Sequence, residues 1–374
     1  MTAPLPSPPW YEVAGVENLP SPSLLVYRAR VEENLRRMIA LAGGAERLRP
    51  HVKTHKMREL IALQAALGIG KFKCATIAEA EMAAQAGARE VLLAYPPVGP
   101  NIPRFLALAR AHPGVGFAVL GDHAGALRAL SSAAGAGGPP VEVLVDLDLG
   151  QHRTGLPPDA RAVDLYRLIA SLPGLQPGGL HAYDGHLHDP DPEARRVACE
   201  AAFAPVAALR EALLAAGLPV PRIVAGGTPT FPFHARRAGV ECSPGTCVFW
   251  DAGYATQLPD LDFLPAALVL CRVVSLPGPG RLCLDLGHKA IASEMPPPRV
   301  VFLNLPDAQA VAHSEEHLVI ATPRAGEFTP GDCLYGLPWH ICPTVALHAE
   351  ALVIEHGKPA TRWPVAARER RLTF

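Results

Sequence analysis

The feature that most constrains the fold is an alternation of short β-like runs with longer amphipathic segments from about residue 28 to 225. This alternation is the βα pattern of a parallel sheet covered by helices. In segment 28–42, for example, apolar residues recur at spacings of three and four along one helical face. The candidate strands are 49–53, 71–75, 90–94, 115–120, 141–147, 178–182, 222–225 and 240–243. Eight such strands predict an α/β fold, a (β/α)8 barrel of the TIM type.

The pattern changes after residue 254, where apolar stretches follow one another with no helical period between them. They are 266–275, 281–290, 299–303, 316–322, 333–337 and 351–355. Strict alternation at 282–286 is typical of half-buried strands, so we predict a second, mainly antiparallel β domain. The segment 23–27 is a ninth strand candidate for which an eight-stranded barrel has no place. We therefore expect 1–27 to join the β domain, 28–256 to form the barrel and 257–374 to form the C-terminal β domain.

Composition excludes several classes of protein. The chain is 49% apolar and 18% charged, which is typical of a globular protein rather than a disordered one. Its 34 basic and 35 acidic side chains include no Lys/Arg run, so nucleic acid is not expected as a partner. No apolar stretch approaches the roughly 18 residues of a membrane span. The first ten residues carry no secretory pattern, and we expect a cytoplasmic protein with reduced cysteines.

Three groups of residues could carry chemistry. Lys53 ends the first predicted strand, where barrel enzymes place reactive groups, although it could equally be a solvated lysine. Glycine pairs after the last two barrel strands could give backbone N–H donors to a phosphate, or could be ordinary turns. His340 and Cys342, two apart on an extended strand, would point to the same side and could share a metal ion. A surface histidine beside a buried cysteine is the alternative.

Six motifs occur in order along the chain. They are Arg49 to Lys56, Cys74 to Glu81, His152-Arg153-Thr154-Gly155, Tyr183-Asp184-Gly185-His186, Gly226-Gly227-Thr228-Pro229-Thr230 and Ser243-Pro244-Gly245-Thr246. Together they resemble the D-threonine aldolase and D-serine dehydratase family, pyridoxal-phosphate enzymes of the alanine-racemase fold. The resemblance implies a barrel plus a β domain that includes an N-terminal strand.

The resemblance also implies roles for individual residues. Lys53 would carry pyridoxal 5'-phosphate as a Schiff base, and Lys56 would be a neighbouring surface charge. Arg153 would lie near the phenolic oxygen of the cofactor and Tyr183 would stack on its ring. His186 would act as general base, and Asp184 could orient it or cap a turn. The phosphate would be bound by Gly226, Gly227, Thr228, Gly245 and Thr246. No acidic residue can be assigned to the pyridine nitrogen.

Relatives hold a divalent metal with a His-x-Asp or a His-x-Cys pair, which implies that His340 and Cys342 are metal ligands. Thiolate favours zinc, and manganese or magnesium stay open. His313 and His317 could support the pair or be exposed. The aldolases of the family typically have aspartate at the second position, whereas D-serine dehydratase has cysteine. Cys342 therefore departs from the aldolase pattern without excluding that reaction.

The implied function is a lyase that cleaves D-3-hydroxy amino acids by a retro-aldol reaction, with D-threonine giving glycine and acetaldehyde. The alternative is a zinc-dependent dehydratase of D-serine or D-3-hydroxyaspartate. A non-catalytic pyridoxal-phosphate carrier is a minor alternative, because such carriers lack a β domain and a metal pair. A racemase is less favoured, because no second-domain tyrosine stands where racemases keep their opposing base. The resemblance further implies a homodimer.

Overall fold

The structure, a computed structural model, describes residues 9–135 and 138–374, so residues 1–8 of the predicted N-terminal segment lie outside the described residues. The chain divides into two compact units. One comprises the described residues up to Asn34 together with Val248–Thr256 and Asp262–Val365; the other comprises Leu35–Cys247, Gln257–Leu261 and Ala366–Phe374. No helix in the described part is long and apolar enough to cross a membrane.

The elements alternate as expected in the first two thirds of the chain. The strands are β1 Ser23–Tyr27, β2 Lys71–Cys74, β3 Glu90–Leu93, β4 Gly116–Gly121, β5 Val141–Asp148, β6 Leu175–Tyr183, β7 Ile223–Ala225, β8 Val240–Cys242, β9 Ala267–Gly278, β10 Arg281–Leu284, β11 Val300–Phe302, β12 Gln309–His313, β13 Leu318–Ala321, β14 Cys333–Pro338, β15 Glu350–Glu355 and β16 Lys358–Pro364. The helices are α1 Arg28–Ala42, α2 Arg58–Ala66, α3 Ile77–Gln85, α4 Asn101–Ala111, α5 Ala124–Ala134, α6 Ala160–Ser171, α7 Pro192–Ala215, α8 Phe231–His234, α9 Ala252–Gln257 and α10 Ile341–Leu347.

The second unit is built on a parallel sheet in which β2 to β8 pair in chain order. Its strands are short apolar runs because helices cover the sheet, so both faces exclude water. Buried side chains fill the interior, among them Leu92, Leu120 and Leu144, each at most 3% exposed. The expected combination of a barrel-type parallel sheet with a separate antiparallel sheet is confirmed.

The first predicted barrel strand, 49–53, is not a regular strand. Leu48 forms an isolated parallel bridge with Cys242 of β8, and His51 forms one with Lys73 of β2, so this segment links the two edges of the sheet. Residues Val52–Thr54 then turn into one 3-10 helical turn. Pro50 has no backbone N–H to donate, which limits the segment to isolated bridges instead of a continuous ladder.

The turn that follows Lys53 is fixed by the start of α3. Thr76 caps this helix, because its Oγ1 accepts from the backbone N–H of Glu79 at 3.1 Å. Glu79 is fully buried, accepts from the backbone N–H of Ala75 at 2.6 Å and pairs with the Lys56 ammonium. Lys56 is therefore a largely buried structural partner and not a surface charge.

The first unit is a mainly antiparallel sheet of nine strands. Strand β1, for which the barrel has no place, pairs antiparallel with β9 and parallel with β15. Apolar side chains from these three strands, such as Leu25, Leu268 and Leu352, form its core. The expectation of no helix between the strands that follow residue 254 is wrong at one place, because α10 lies between β14 and β15.

Candidate active site

Three residues implied as cofactor ligands line one cavity of the second unit. Lys53 follows the edge-linking segment, Arg153 lies in the loop after β5, and Tyr183 ends β6. All three therefore lie at the carboxyl end of the parallel strands, where barrel folds place their active sites. The remaining lining residues are His51, Lys73, Ala94, Leu120, Asp146, Thr154 and His181.

The ring of Tyr183 is contacted by two cationic side chains. The guanidinium carbon of Arg153 lies 5.1 Å from the ring centroid, and Nζ of Lys73 lies 5.3 Å from it. Both distances are within the range of cation–π attraction. The contacts orient an aromatic face in the cavity, which suits the stacking of a flat heteroaromatic ring.

A buried acid–imidazole pair forms another part of the cavity wall. Nδ1 of His181 lies 2.7 Å from Oδ1 of Asp146, and Thr154 Oγ1 donates to Oδ2 at 2.8 Å. Burial would raise the pKa of Asp146, but the bonds from His181 and Thr154 lower it, whereas burial lowers the pKa of His181. His181 is therefore neutral and donates its Nδ1 proton to the carboxylate. Its Nε2 is buried and has no hydrogen-bond partner in the described part of the chain, so it is left to accept from a ligand.

The glycine-rich loops after β7 and β8 gather backbone N–H groups. The N–H groups of Gly245 and Thr246 both point at Oγ1 of Thr228, at 3.2 and 3.1 Å. Two consecutive N–H groups directed at one oxygen form the kind of concave nest that binds phosphate oxygens. Gly226 has a φ of 76°, which favours glycine, and a Cβ there would lie 2.5 Å from Cδ2 of His234. The loops therefore fit a phosphate group, with the Thr228 hydroxyl occupying the acceptor position.

Asp184 does not orient His186. Its two carboxylate oxygens accept from Thr230 Oγ1 at 2.7 Å and lie 2.8 Å from His234 Nε2, so it fixes the loop that begins at Gly226. Cys199 completes a buried group of three ligand-type side chains with Asp184 and His234, whose donor atoms lie within 4.8 Å of one another.

Hydrogen bonding accounts for that group without a metal. Nη1 of Arg237 lies 2.9 Å from Nδ1 of His234, so this nitrogen accepts and the ring proton resides on Nε2, facing Asp184. Burial raises the pKa of Cys199 to about 12, which keeps the thiol protonated. To bind here, a metal ion would have to displace the thiol proton of Cys199 and the Nε2 proton of His234, next to the positive guanidinium of Arg237. Sequence reasoning did not anticipate this network.

The structure does not bring His186 into the cavity lined by Lys53. His186 lies in the loop after β6 and lines a separate depression with Leu187, His188 and Arg195. Its Nδ1 is buried and has no hydrogen-bond partner within residues 9–135 and 138–374. The imidazole thus keeps one unused nitrogen, but its role as a base stays a prediction.

In the first unit, His340 and Cys342 lie at the start of α10, so the extended geometry expected for the pair is wrong. His340 is the N-cap residue, and Cys342 is in the first helical turn. Their side chains still interact, and Nδ1 of His340 lies 2.5 Å from Oε1 of Glu294. Burial alone would lower the pKa of His340, but Cys342 and Glu294 raise it to about 9. Buried Asp251 anchors this turn, because it accepts from the backbone N–H of Ile341 at 3.0 Å.

This donor set fits a divalent metal. The thiol of Cys342 and the imidazole of His340 converge, and a carboxylate holds the remaining ring nitrogen, as is usual for metal-binding histidines. His313 does not join them, since its nitrogens lie 3.1 Å from Arg299 Nη1 and 3.0 Å from the Leu286 carbonyl oxygen.

Known proteins resemble both parts of the chain. A family model described as alanine racemase, N-terminal domain, matches residues 26–252, and one described as a putative serine dehydratase domain matches residues 266–354. A D-threonine aldolase from Arthrobacter sp. is 33% identical over 373 residues, covering 98% of this chain and 96% of the relative.

Solved structures agree with these matches. The crystal structure of D-threonine aldolase from Filomicrobium marinum superposes with a TM-score of 0.87 at 29% identity, covering 94% of this chain and 97% of that one. D-threo-3-hydroxyaspartate dehydratase from Delftia sp. gives a TM-score of 0.81 at 27% identity, covering 93% and 98%.

The parallel barrel-type sheet, the antiparallel sheet and the lysine-lined cavity define an enzyme of the alanine-racemase-like fold, a class that depends on pyridoxal phosphate. Within that class, the chain belongs to the family of D-threonine aldolase and D-serine dehydratase-like lyases.

Proposed function

We propose that this chain is a pyridoxal-phosphate- and divalent-metal-dependent lyase that cleaves D-3-hydroxy amino acids, converting D-threonine to glycine and acetaldehyde. The observation that carries the proposal is the meeting of Lys53, Arg153 and Tyr183 in one cavity at the carboxyl end of the barrel. The identity to a D-threonine aldolase over nearly the whole chain supports the same reaction.

Different residues of the second unit bind different parts of the cofactor in this proposal. Lys53 provides the amine for the covalent link, Tyr183 provides a flat face, and Arg153 provides positive charge beside it. The N–H groups of Gly245 and Thr246, with Gly226, Gly227 and Thr228, bind the phosphate. When bound, pyridoxal phosphate supplies an electron sink for the charge that develops at Cα.

Two further groups act on the substrate hydroxyl in this proposal. The family resemblance gives His186 the role of accepting the hydroxyl proton, although the structure places it in a depression separate from the cavity of Lys53. His340 and Cys342 hold the divalent metal, with Glu294 fixing the imidazole, and a thiolate ligand favours zinc over manganese or magnesium. The metal would supply a Lewis acid for the hydroxyl oxygen.

A dehydratase is the second candidate, favoured by one observation. Two solved structures of a D-threo-3-hydroxyaspartate dehydratase are a histidine-to-alanine and a cysteine-to-alanine variant, two positions apart, and the cysteine variant is in the metal-free form. His340 and Cys342 have the same spacing. In that reaction Lys53 removes the α-proton and the β-hydroxyl departs, giving pyruvate and ammonia from D-serine.

Product analysis tests the two candidates. The purified protein, supplied with pyridoxal phosphate and either Zn²⁺ or Mn²⁺, is offered D-threonine, D-serine and D-3-hydroxyaspartate, with each L-enantiomer as control. Glycine with acetaldehyde from D-threonine is expected. Production of 2-oxobutanoate and ammonia instead would replace the aldolase by the dehydratase, and no turnover of any D-substrate would contradict both.

We also propose that the protein is a homodimer, because the family resemblance implies pairing of two chains. Light scattering coupled to gel filtration measures this directly. A mass of about 80 kDa, twice the 39.6 kDa of one chain, is expected, and a mass of one chain would contradict the proposal.

A further inference from the structure

A second lysine lies in the cavity that contains Lys53. Lys73 is on β2, is only 2% exposed and lines the same cavity. Its ammonium faces the ring of Tyr183 at 5.3 Å, and within the described residues it forms no hydrogen bond or ion pair. A buried lysine is normally paired, because leaving a charge without a partner in a region of low dielectric is costly. An unpaired ammonium directed into a cavity therefore points to a function there.

The groups around Lys73 do not neutralise it. Asp146 on β5 is already bonded to His181 and Thr154, and Asp184 after β6 is bonded to Thr230 and His234. The facing cations are Lys53 and, from the loop after β5, Arg153, while His51 and His181 are kept neutral by burial. Burial and then Lys53 lower the pKa of Lys73 to about 7; the charges of Asp146 and Asp184 act in the opposite direction without cancelling this effect, and Arg153 adds to the lowering.

We propose that Lys73 is a positioning residue of the cofactor cavity whose charge lowers the proton affinity of the Schiff-base link at Lys53. The inference rests on the proposed function, since it requires Lys53 to carry the cofactor. Two like charges in one buried cavity disfavour each other, so a cationic Lys73 favours the neutral form of the link. When Lys73 is neutral, the link regains proton affinity.

The pH dependence of the cofactor absorbance in the holoenzyme tests this. In Lys73→Met, which keeps the volume and removes the charge, the pH midpoint of the Schiff-base band should rise by about one unit relative to the unsubstituted protein. Lys73→Arg, which restores a permanent charge, should return the midpoint to the original value or below it. Lys71→Met is the matched control, because Lys71 lies on the same strand but pairs with Glu241 outside the cavity lining.

Borohydride reduction followed by peptide mapping separates the failure of this inference from the failure of the proposed function. A link mapped to Lys53 with an unmoved midpoint in Lys73→Met overturns the role of Lys73 and leaves the lyase intact. A midpoint that rises equally in Lys71→Met also overturns it, because the effect would then not depend on a charge inside the cavity. A link mapped to Lys73, or the absence of any band, overturns the inference together with the assignment of Lys53.

Discussion

Nδ1 of His181 lies 2.7 Å from Oδ1 of Asp146, and neither side chain is more than 5% exposed. Asp146→Ala would leave the Nδ1–H group buried without an acceptor, which costs more than the net value of the bond itself. We expect the free energy of unfolding of the apo protein to fall by roughly 2–3 kcal/mol. Urea denaturation measures it, with Asp164→Ala, an exposed aspartate paired to Arg167, as the control that should change little.

The His181–Asp146 pair also predicts that the free energy of unfolding falls as the pH is lowered. The folded-state pKa of His181 is lowered by burial, so below about pH 6.5 the unfolded chain binds a proton that the folded chain does not. Stability from this group is present above pH 6.5 and lost as the pH falls. His181→Asn keeps a donor for Asp146 but does not titrate. The Tm of this variant should therefore drop less between pH 7 and pH 5.5 than the Tm of the unsubstituted protein. Equal drops in the two proteins would show that the titration of His181 does not cause the loss of stability.

The sequence predicted those elements in which burial and periodicity coincide. Strands β4 and β5 are continuous apolar runs, and both were found within a residue or two. Strands β12 and β16 were missed because their side chains are mostly exposed and have no apolar alternation. Helix α10 was missed because it has only seven residues, too few for a helical period to be visible.

The candidate site was predictable only where a motif signals it. Lys53, Arg153 and Tyr183 belong to ordered motifs, and the cavity contains all three. Lys73 and Asp146 were missed because each lies inside a short predicted strand, where no motif distinguishes it from the neighbouring strand residues. A charged residue inside a buried parallel strand is itself the signal, since burial of a charge requires a compensating role.

Lys53→Ala tests the cofactor link. The variant cannot form the covalent bond, so its absorbance band in the aldimine region should disappear while circular dichroism stays unchanged. Lys289→Ala, at a 60% exposed lysine paired with glutamates, is the control and should keep the band. A band retained in Lys53→Ala would move the link to another lysine, with Lys73 the first to examine.

Gly226→Ala should impair phosphate binding. The residue has a φ of 76°, and the new Cβ would lie 2.5 Å from the His234 ring, so the loop has to move. Loss of one charge-assisted hydrogen bond to phosphate corresponds to about a tenfold higher Kd for pyridoxal phosphate, measured by absorbance titration. Gly217→Ala, with a φ of 73° but no atom within 4 Å of the new Cβ, should lower stability only. Equal Kd increases in both variants would assign the effect to backbone strain in general.

Glu294→Gln should weaken metal binding at His340 and Cys342. Oε1 of Glu294 lies 2.5 Å from Nδ1 of His340, so the carboxylate holds the ring proton on that nitrogen and leaves Nε2 as the nitrogen that would bind a metal. The amide keeps an acceptor but loses the charge, and we expect the Kd for Zn²⁺ to rise by about 10-fold. Competition with a chromogenic chelator measures it independently of turnover. Glu315→Gln, at an exposed glutamate paired with Lys289, is the matched control, and a Glu294→Gln variant that binds Zn²⁺ as tightly as this control would remove Glu294 from the metal site.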